Sequence, residues 1–310
     1  MNPSKAIKRI LDELGSHELL DVIRKKLSLS DLNTLLLELF RQRTMDSSYA
    51  DLLKAYSENR FVQPAEVDPL ALKRLELHML RIAQQASYRA IQLSPVAPLG
   101  SCSVVATSDQ NKIISALRGT EVVADATNLL ALHICDLLKG KKAANDEDPI
   151  KFSTTHRHVR AQNFNRPGLL PHFHLYCMVT SGKDKGSYSF EKQTLLEHIM
   201  IYQSIFSSLF HTDVTVKLNR RDGYKDSEGL VQRLSEHLQE AASAITVVVN
   251  KDENHNQYYK GLQFTIAVTI NGQELNIGDG GFVDWSQKLL GNKKERMMIS
   301  AIGLDRLISI

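Results

Sequence analysis

Two hydrophobic periods, helical and alternating, run through this chain, and where each falls limits the folds open to it. Up to about residue 85 the apolar residues recur at helical spacing. Ile7, Ile10, Leu11 and Leu14 form one stripe, Leu32, Leu35, Leu36, Leu39 and Phe40 a second, and 69-PLALKRLELHMLRIAQQ-85 a third. Ser30 with Asp31 supplies an N-cap for the second. From 151 onward the pattern alternates, as half-buried strands do: 151-KFSTTHRHVRAQ-162, 172-HFHLYCMVT-180, 213-DVTVKLN-219 and 244-AITVVVN-250. Helical stretches at about 189–210 and 227–242 separate them. The sharpest local signal is Asn271-Gly272 between two alternating runs within 257–283, which specifies a tight hairpin. Helices and strands mix without a regular strand–helix–strand rhythm, so the expected class is α+β: an antiparallel sheet flanked by helices, with an N-terminal helical extension.

At 310 residues the chain has room for one large domain plus an appendage, read here as a helical extension over 1–65 and a main domain over 66–310. Between them, 88-YRAIQLS-94, 101-SCSVVAT-107 and 112-KIISALR-118 read as short strands, and Asp125 caps a helix running to about Leu138. The polar stretch 139–148 reads as an exposed loop. Composition is globular, with 43% hydrophobic and 24% charged residues, which excludes a mainly disordered chain. A formal charge of +3 gives no nucleic-acid signature by itself, although it leaves room for a local basic patch. Cys102, Cys135 and Cys177 are scattered and odd in number, which argues against a disulfide framework or cysteine zinc site and fits a reducing compartment. No signal-peptide pattern opens the chain, and no apolar run reaches the roughly 18 residues of a membrane helix. The expected location is cytoplasmic, away from membranes.

Chemistry concentrates at 151–180. Side chains alternate along a strand, so His156, His158, Arg160 and Gln162 share one face. That row is either a solvated polar face or an anion site, because the Arg fork suits phosphate or carboxylate. The connecting loop, turning at Pro167-Gly168, adds Arg166, and the chain's last apolar segment carries Arg306. His156-x-His158 and His172-x-His174 raise a metal alternative on adjacent strands, although no carboxylate third ligand is evident. The glycine-rich 276-NIGDGGFVDW-285 lacks the lysine of a P-loop and reads as a bulge or a close approach. Asp125 with Thr127 is either a simple helix cap or a carboxylate placed for an ammonium group. Nucleophile-elbow, kinase and dinucleotide fingerprints are all missing from the sequence.

Taken in order, these pieces resemble the catalytic core of class II aminoacyl-tRNA synthetases, in particular histidyl-tRNA synthetase and its paralogue, the regulatory subunit of ATP phosphoribosyltransferase. Residues 75-LELHMLRIAQQASYRAIQLSP-95 resemble the first motif, 159-VRAQ-162 with 172-HFHL-175 the second, and 301-AIGLDRL-307 the third. Residues 121-EVVADAT-127, 258-YYKGLQF-264 and 280-GGFVD-284 resemble the amino-acid-pocket segments. The resemblance spans about 70–310 and implies a homodimer that binds ATP, Mg²⁺ and a small amino-acid-like substrate. It implies Arg160, Arg166, Phe173 and Arg306 around the nucleotide, with Arg160 and Gln162 in the catalytic positions. It implies Asp125, Thr127, Tyr258, Tyr259, Gly280 and Gly281 around the substrate. The departures are specific. Gln162 stands where the second motif has an acid, 253-ENHNQ-257 lacks the catalytic Arg, GGRYD has become GGFVD, and the sequence ends at the third motif. The expected function is therefore ATP and amino-acid-like binding, extending to an adenylate-forming ligase, rather than full tRNA charging. The alternatives are a non-catalytic regulatory or ligand-sensing paralogue and the metal-dependent enzyme built on the histidine pairs.

Overall fold

The computed structural model describes residues 4–140, 148–162, 171–250 and 257–309. Four helices open the chain: α1 (Lys5–Glu13), α2 (Leu19–Lys26), α3 (Leu29–Met45) and α4 (Tyr49–Glu58). The cap of α3 is Ser28, whose hydroxyl accepts the Asp31 N–H, rather than Ser30. Leu11 is the one buried side chain that α1–α4 contribute, so this extension has almost no core of its own. A longer helix, α5 (Pro69–Gln85), starts where the sequence places it. Asp68 accepts the Leu70 and Ala71 N–H groups, and Pro69 fills the first turn, where no amide hydrogen is needed.

Short strands follow: β1 (Arg89–Ala90), β2 (Val96–Pro98), β3 (Ser115–Ala116) and β4 (Thr120–Val122). Here the sequence reading fails in part, because Ser101–Val105 is a single wide helical turn and not a strand. Glu121 accounts for it. Its fully buried carboxylate accepts the Gly100 N–H at 2.8 Å, the Cys102 N–H at 2.9 Å and the Gln110 amide at 3.0 Å, drawing the backbone around itself. A side chain thus overrides β propensity.

The rest of the chain is α6 (Ala126–Lys139), β5 (Ile150–Val159), β6 (His172–Lys183), α7 (Ser189–Phe210), β7 (Val214–Arg220), α8 (Ser227–Ala241), β8 (Thr246–Asn250), β9 (Lys260–Ile270), β10 (Gln273–Val283), α9 (Trp285–Leu290), β11 (Glu295–Gly303) and α10 (Leu304–Ile308). Eight strands form one sheet in the order β1-β5-β6-β11-β10-β9-β7-β8. β1 on β5 and β7 on β8 are parallel, and the other pairings are antiparallel. Asn271 and Gly272, at φ 53° and 75°, make the expected hairpin.

The two faces of the sheet are covered differently. Tyr176, Met178, Phe264, Phe282, Met298 and their neighbours pack under α5, α7, α8 and α10. On the other face Phe152, Cys177, Val179 and Ile299 meet α6, Tyr259 and Trp285. That second cover reaches only part of the sheet, and the uncovered part is the floor of a cavity. Residues 141–147 and 163–170, where the sequence reading places loops, Arg166 and the Pro167-Gly168 turn, and most of 253–257 lie outside the described residues. No helix among the described residues is long and apolar enough to cross a membrane.

Candidate functional site

A cavity of about 1480 Å³ opens on this second face. Asp125, Thr127, Arg160, Gln162, Phe173, Tyr258, Tyr259 and Arg306 line it, although 181 positions separate the first from the last. Strand register explains most of the convergence. Phe173 pairs with His158 across β5 and β6, and Arg160 follows just past the end of β5, on the same face as His158. The Arg160 guanidinium lies 5.2 Å from the Phe173 ring centroid. Its Nε donates to the Ala124 carbonyl at 3.0 Å, which fixes the stem and leaves the fork toward the cavity.

Asp125 uses its oxygens separately. One accepts the Thr127 N–H at 2.9 Å and the Thr127 hydroxyl at 2.6 Å; the other accepts the Tyr258 hydroxyl at 2.6 Å. The residue caps α6 and also faces the cavity. Burial pushes its carboxyl up, but the Arg160 charge and the Thr127 and Tyr258 hydroxyls outweigh this and hold it below the usual carboxylate value. The ionised form is therefore built in.

His158 is the counterpart. Its Nε2 accepts the Ala126 N–H at 2.8 Å, so Nδ1 carries the hydrogen and donates to the His156 carbonyl at 2.9 Å. Burial holds its pKa down at about 3, so the ring under Phe173 is neutral. The four-histidine metal reading is not supported by this arrangement. His172 and His174 lie on the opposite face of β6: His172 Nδ1 meets Arg157 at 2.6 Å, and His174 Nε2 faces Glu76 at 3.2 Å. Among the described residues no group of three or more His, Cys, Asp or Glu could hold a metal ion. Cys102 also lines the cavity, but burial pushes its thiol up to about 12, which removes it as a nucleophile.

Gly280 and Gly281 do not line the cavity, contrary to the sequence expectation. A Cβ on Gly280 would stand 2.4 Å from Phe264 Cζ, and one on Gly281 2.4 Å from the Leu262 carbonyl oxygen and 2.7 Å from Tyr259 Cδ1. Both glycines make room, the first for the helix-side core and the second for the tyrosine. Gly278 does line the cavity, and a Cβ there would meet the Ala301 carbonyl at 2.2 Å. Arg306 projects from α10 and donates to the Asn276 carbonyl at 3.1 Å.

Sequence reasoning missed Lys112 and Asp279, which both line the site. For Asp279 a signal existed: it shares a strand face with Gly281 and Val283 and is the one charged residue of that row.

No family model matches the chain, and no curated protein sequence does. Solved structures do match. A histidyl-tRNA synthetase from S. aureus superposes with a TM-score of 0.59 at 14% identity, over 79% of this chain and 67% of that one. An ATP phosphoribosyltransferase regulatory subunit/histidyl-tRNA synthetase from Bacillus halodurans C gives 0.61 at 14% identity, over 81% and 82%. A threonyl-tRNA synthetase from Aeropyrum pernix gives 0.58 at 13%, over 77% and 60%. The core of this chain therefore has the class II synthetase-like fold.

Proposed function

We propose that this cavity binds ATP together with a small amino-acid-like acid and joins them as an acyl-adenylate. The observation that supports this best is the position of Arg160. One guanidinium lies against a flat ring, Phe173, and is close enough to Asp125 to stabilise its charge. An adenine on the ring and an ammonium group on Asp125 would bring an α-phosphate and a substrate carboxylate to the same Arg. The reaction is then attack by a carboxylate oxygen on the α-phosphorus, with pyrophosphate leaving. It needs orientation and cations more than proton transfer. Arg160 would offset the charge that grows on the α-phosphate oxygens, and Arg306 would hold the outer phosphates.

Mg²⁺ would enter with the triphosphate. The described residues offer no three-ligand cluster, and Mg²⁺ commonly takes its ligands from phosphates, water and one or two carboxylates. The first-motif segment supports a homodimer. α5 leaves Leu70 and Leu77 exposed, Leu77 beside the two-residue edge strand β1, and a two-fold contact along this helix would cover both. A tRNA-charging role is not part of this reading.

The test is a pair of measurements on the purified chain. Mg·ATP should raise the melting temperature, because a ligand selective for the native state stabilises it. An amino acid that adds to this shift should then support ATP–pyrophosphate exchange. Shift without exchange would leave a ligand sensor, the reading that Gln162 in place of an acid favours. Absence of ATP binding at millimolar concentration would end both.

A further inference from the structure

Asp279 is built for a ligand rather than for the fold. It stands on β10, opposite Ala301 of β11 and Thr265 of β9, and these small neighbours leave its carboxylate uncovered toward the cavity. Its protein contacts are long: the Tyr259 hydroxyl donates to one oxygen at 3.3 Å and the Gln263 amide to the other at 3.3 Å. An ionised carboxylate accepts about four hydrogen bonds, so acceptor capacity toward the cavity remains.

Its surroundings are fixed in advance. Arg221 donates from Nε and a terminal nitrogen to Gln263 Oε1, at 3.0 and 2.6 Å. That grip settles which end of the amide is the oxygen, so Gln263 Nε2 faces Asp279. Arg221 is thus a positioning residue two steps from the cavity. Tyr259 is set by its edge-to-face contact with Tyr258, 4.8 Å between ring centroids, and Tyr258 in turn donates to Asp125. A chain of two tyrosines therefore connects the two carboxylates, one on α6 and one on the sheet. Protein surrounds Asp279 closely although it opens to solvent through the cavity. Burial pushes its carboxyl above the ordinary value, and the Asp125 charge adds to this. A cation beside it would relieve both effects.

The geometry points to Asp279 as the residue that reads the side chain of the ligand, and to a basic amino acid, bearing an amine or guanidinium, as the substrate class. This rests on the proposed function: the α-amine sits on Asp125, and the second cationic group reaches Asp279. A neutral side chain of the same length would leave the Asp279 carboxylate partly desolvated and unpaired, which is how a polar site rejects an apolar analogue.

The experiment is calorimetric titration of the full chain, in Mg·ATP, with L-lysine, L-arginine and L-norleucine. Norleucine matches the lysine stem without its ammonium group. Lysine or arginine should bind at least tenfold more tightly than norleucine. In Asp279→Asn, nearly isosteric and checked for folding by its melting curve without ligand, that ratio should fall below threefold. Ala301→Leu, which covers Asp279 from the next strand, should likewise weaken the basic acid. Norleucine binding as well as lysine, a ratio unchanged in Asp279→Asn, or failure of both basic acids while ATP binds, would each overturn the assignment and leave the ATP reading standing. Failure of ATP itself would overturn the wider reading, and this one with it.

Discussion

Replacing Arg160 by Ala tests the site at the point where its parts join. In the free protein the guanidinium makes one hydrogen bond among the described residues, to the Ala124 carbonyl at 3.0 Å, and lies 5.2 Å from the Phe173 ring centroid. Both contacts are half-exposed, so the loss of stability should be small, about 1 kcal/mol or less. The effect on ATP should be much larger. A charge-assisted contact from Arg to phosphate contributes about 1.5–3 kcal/mol, and each 1.4 kcal/mol is one decade of affinity. ATP binding should therefore weaken by roughly 10- to 100-fold while the melting temperature without ligand moves little. Arg306→Ala should give a loss of the same order, since the Arg306 side chain is exposed and, among the described residues, makes one hydrogen bond, to a backbone carbonyl. The double variant separates the two roles. If the two residues hold different phosphates, their effects should add to within about 0.5 kcal/mol. Calorimetric titration of ATP into the three variants measures this. Unchanged affinity in both single variants would refute the reasoning, because the shared cavity would then have nothing to do with a triphosphate.

The remaining predictions concern fold, charge and assembly. Glu121→Ala strands the Gly100 and Cys102 N–H groups and should cost about 2–5 kcal/mol in chemical denaturation, whereas Glu121→Gln, which keeps an acceptor, should cost less. The Asp125 carboxyl is held below 3.8 in the folded chain, so its contribution to stability is fully present above that value and is lost as pH falls through the lower, folded pKa. The acid limb of a stability–pH curve should accordingly flatten in Asp125→Asn. Gly280→Ala drives a Cβ to within 2.4 Å of Phe264 and 2.6 Å of the Ile299 carbonyl, and should give a lower melting temperature or insoluble protein. Light scattering at micromolar concentration should give twice the 34.8 kDa chain mass; a monomer would count against the two-fold contact.

What the sequence shows and what it hides divide along physical lines. The hairpin was legible because Asn271-Gly272 is set by local backbone geometry, and α5 because the apolar residues of 69–85 recur at helical spacing. Arg160 and Arg306 stood out by residue type and place, but their convergence with Phe173 was legible only through ordered resemblance, since nothing local ties residues so far apart. The turn at Ser101–Val105 was hidden because its cause, Glu121, lies some twenty residues away in the chain. Gly280 and Gly281 were misplaced because a glycine needed by a ligand and a glycine needed by a neighbouring ring look alike in sequence. Asp279 was overlooked because the glycines around it drew the reading, although its place in the alternation put it on the Gly281 and Val283 face.

The extension before α5 is joined to the site by a few polar contacts, and these can be tested singly. With Leu11 as the one buried side chain that α1–α4 supply, hydrophobic burial gives this region little hold. Arg60 donates to the carbonyls of Gln162 and Ala161, at 3.2 and 2.5 Å, at the end of the strand that carries His158. Three residues on, the Gln63 carbonyl accepts His172 Nε2 at 2.6 Å. The segment between, with Pro64 through Val67, forms one wall of the cavity. Asn33 supplies a second tether by accepting the Arg118 and Gly119 N–H groups at 2.6 and 3.3 Å. Arg60 is half-buried, and a cationic donor to carbonyls contributes about 1.5–3 kcal/mol. Arg60→Ala should therefore detach this wall more readily than it unfolds the core. Amide exchange should rise at 60–68 while the protection of β6 and β11 is kept. ATP affinity should fall with it if that wall helps hold the nucleotide. Exchange unchanged at 60–68 would mean that packing, and not Arg60, holds the wall in place.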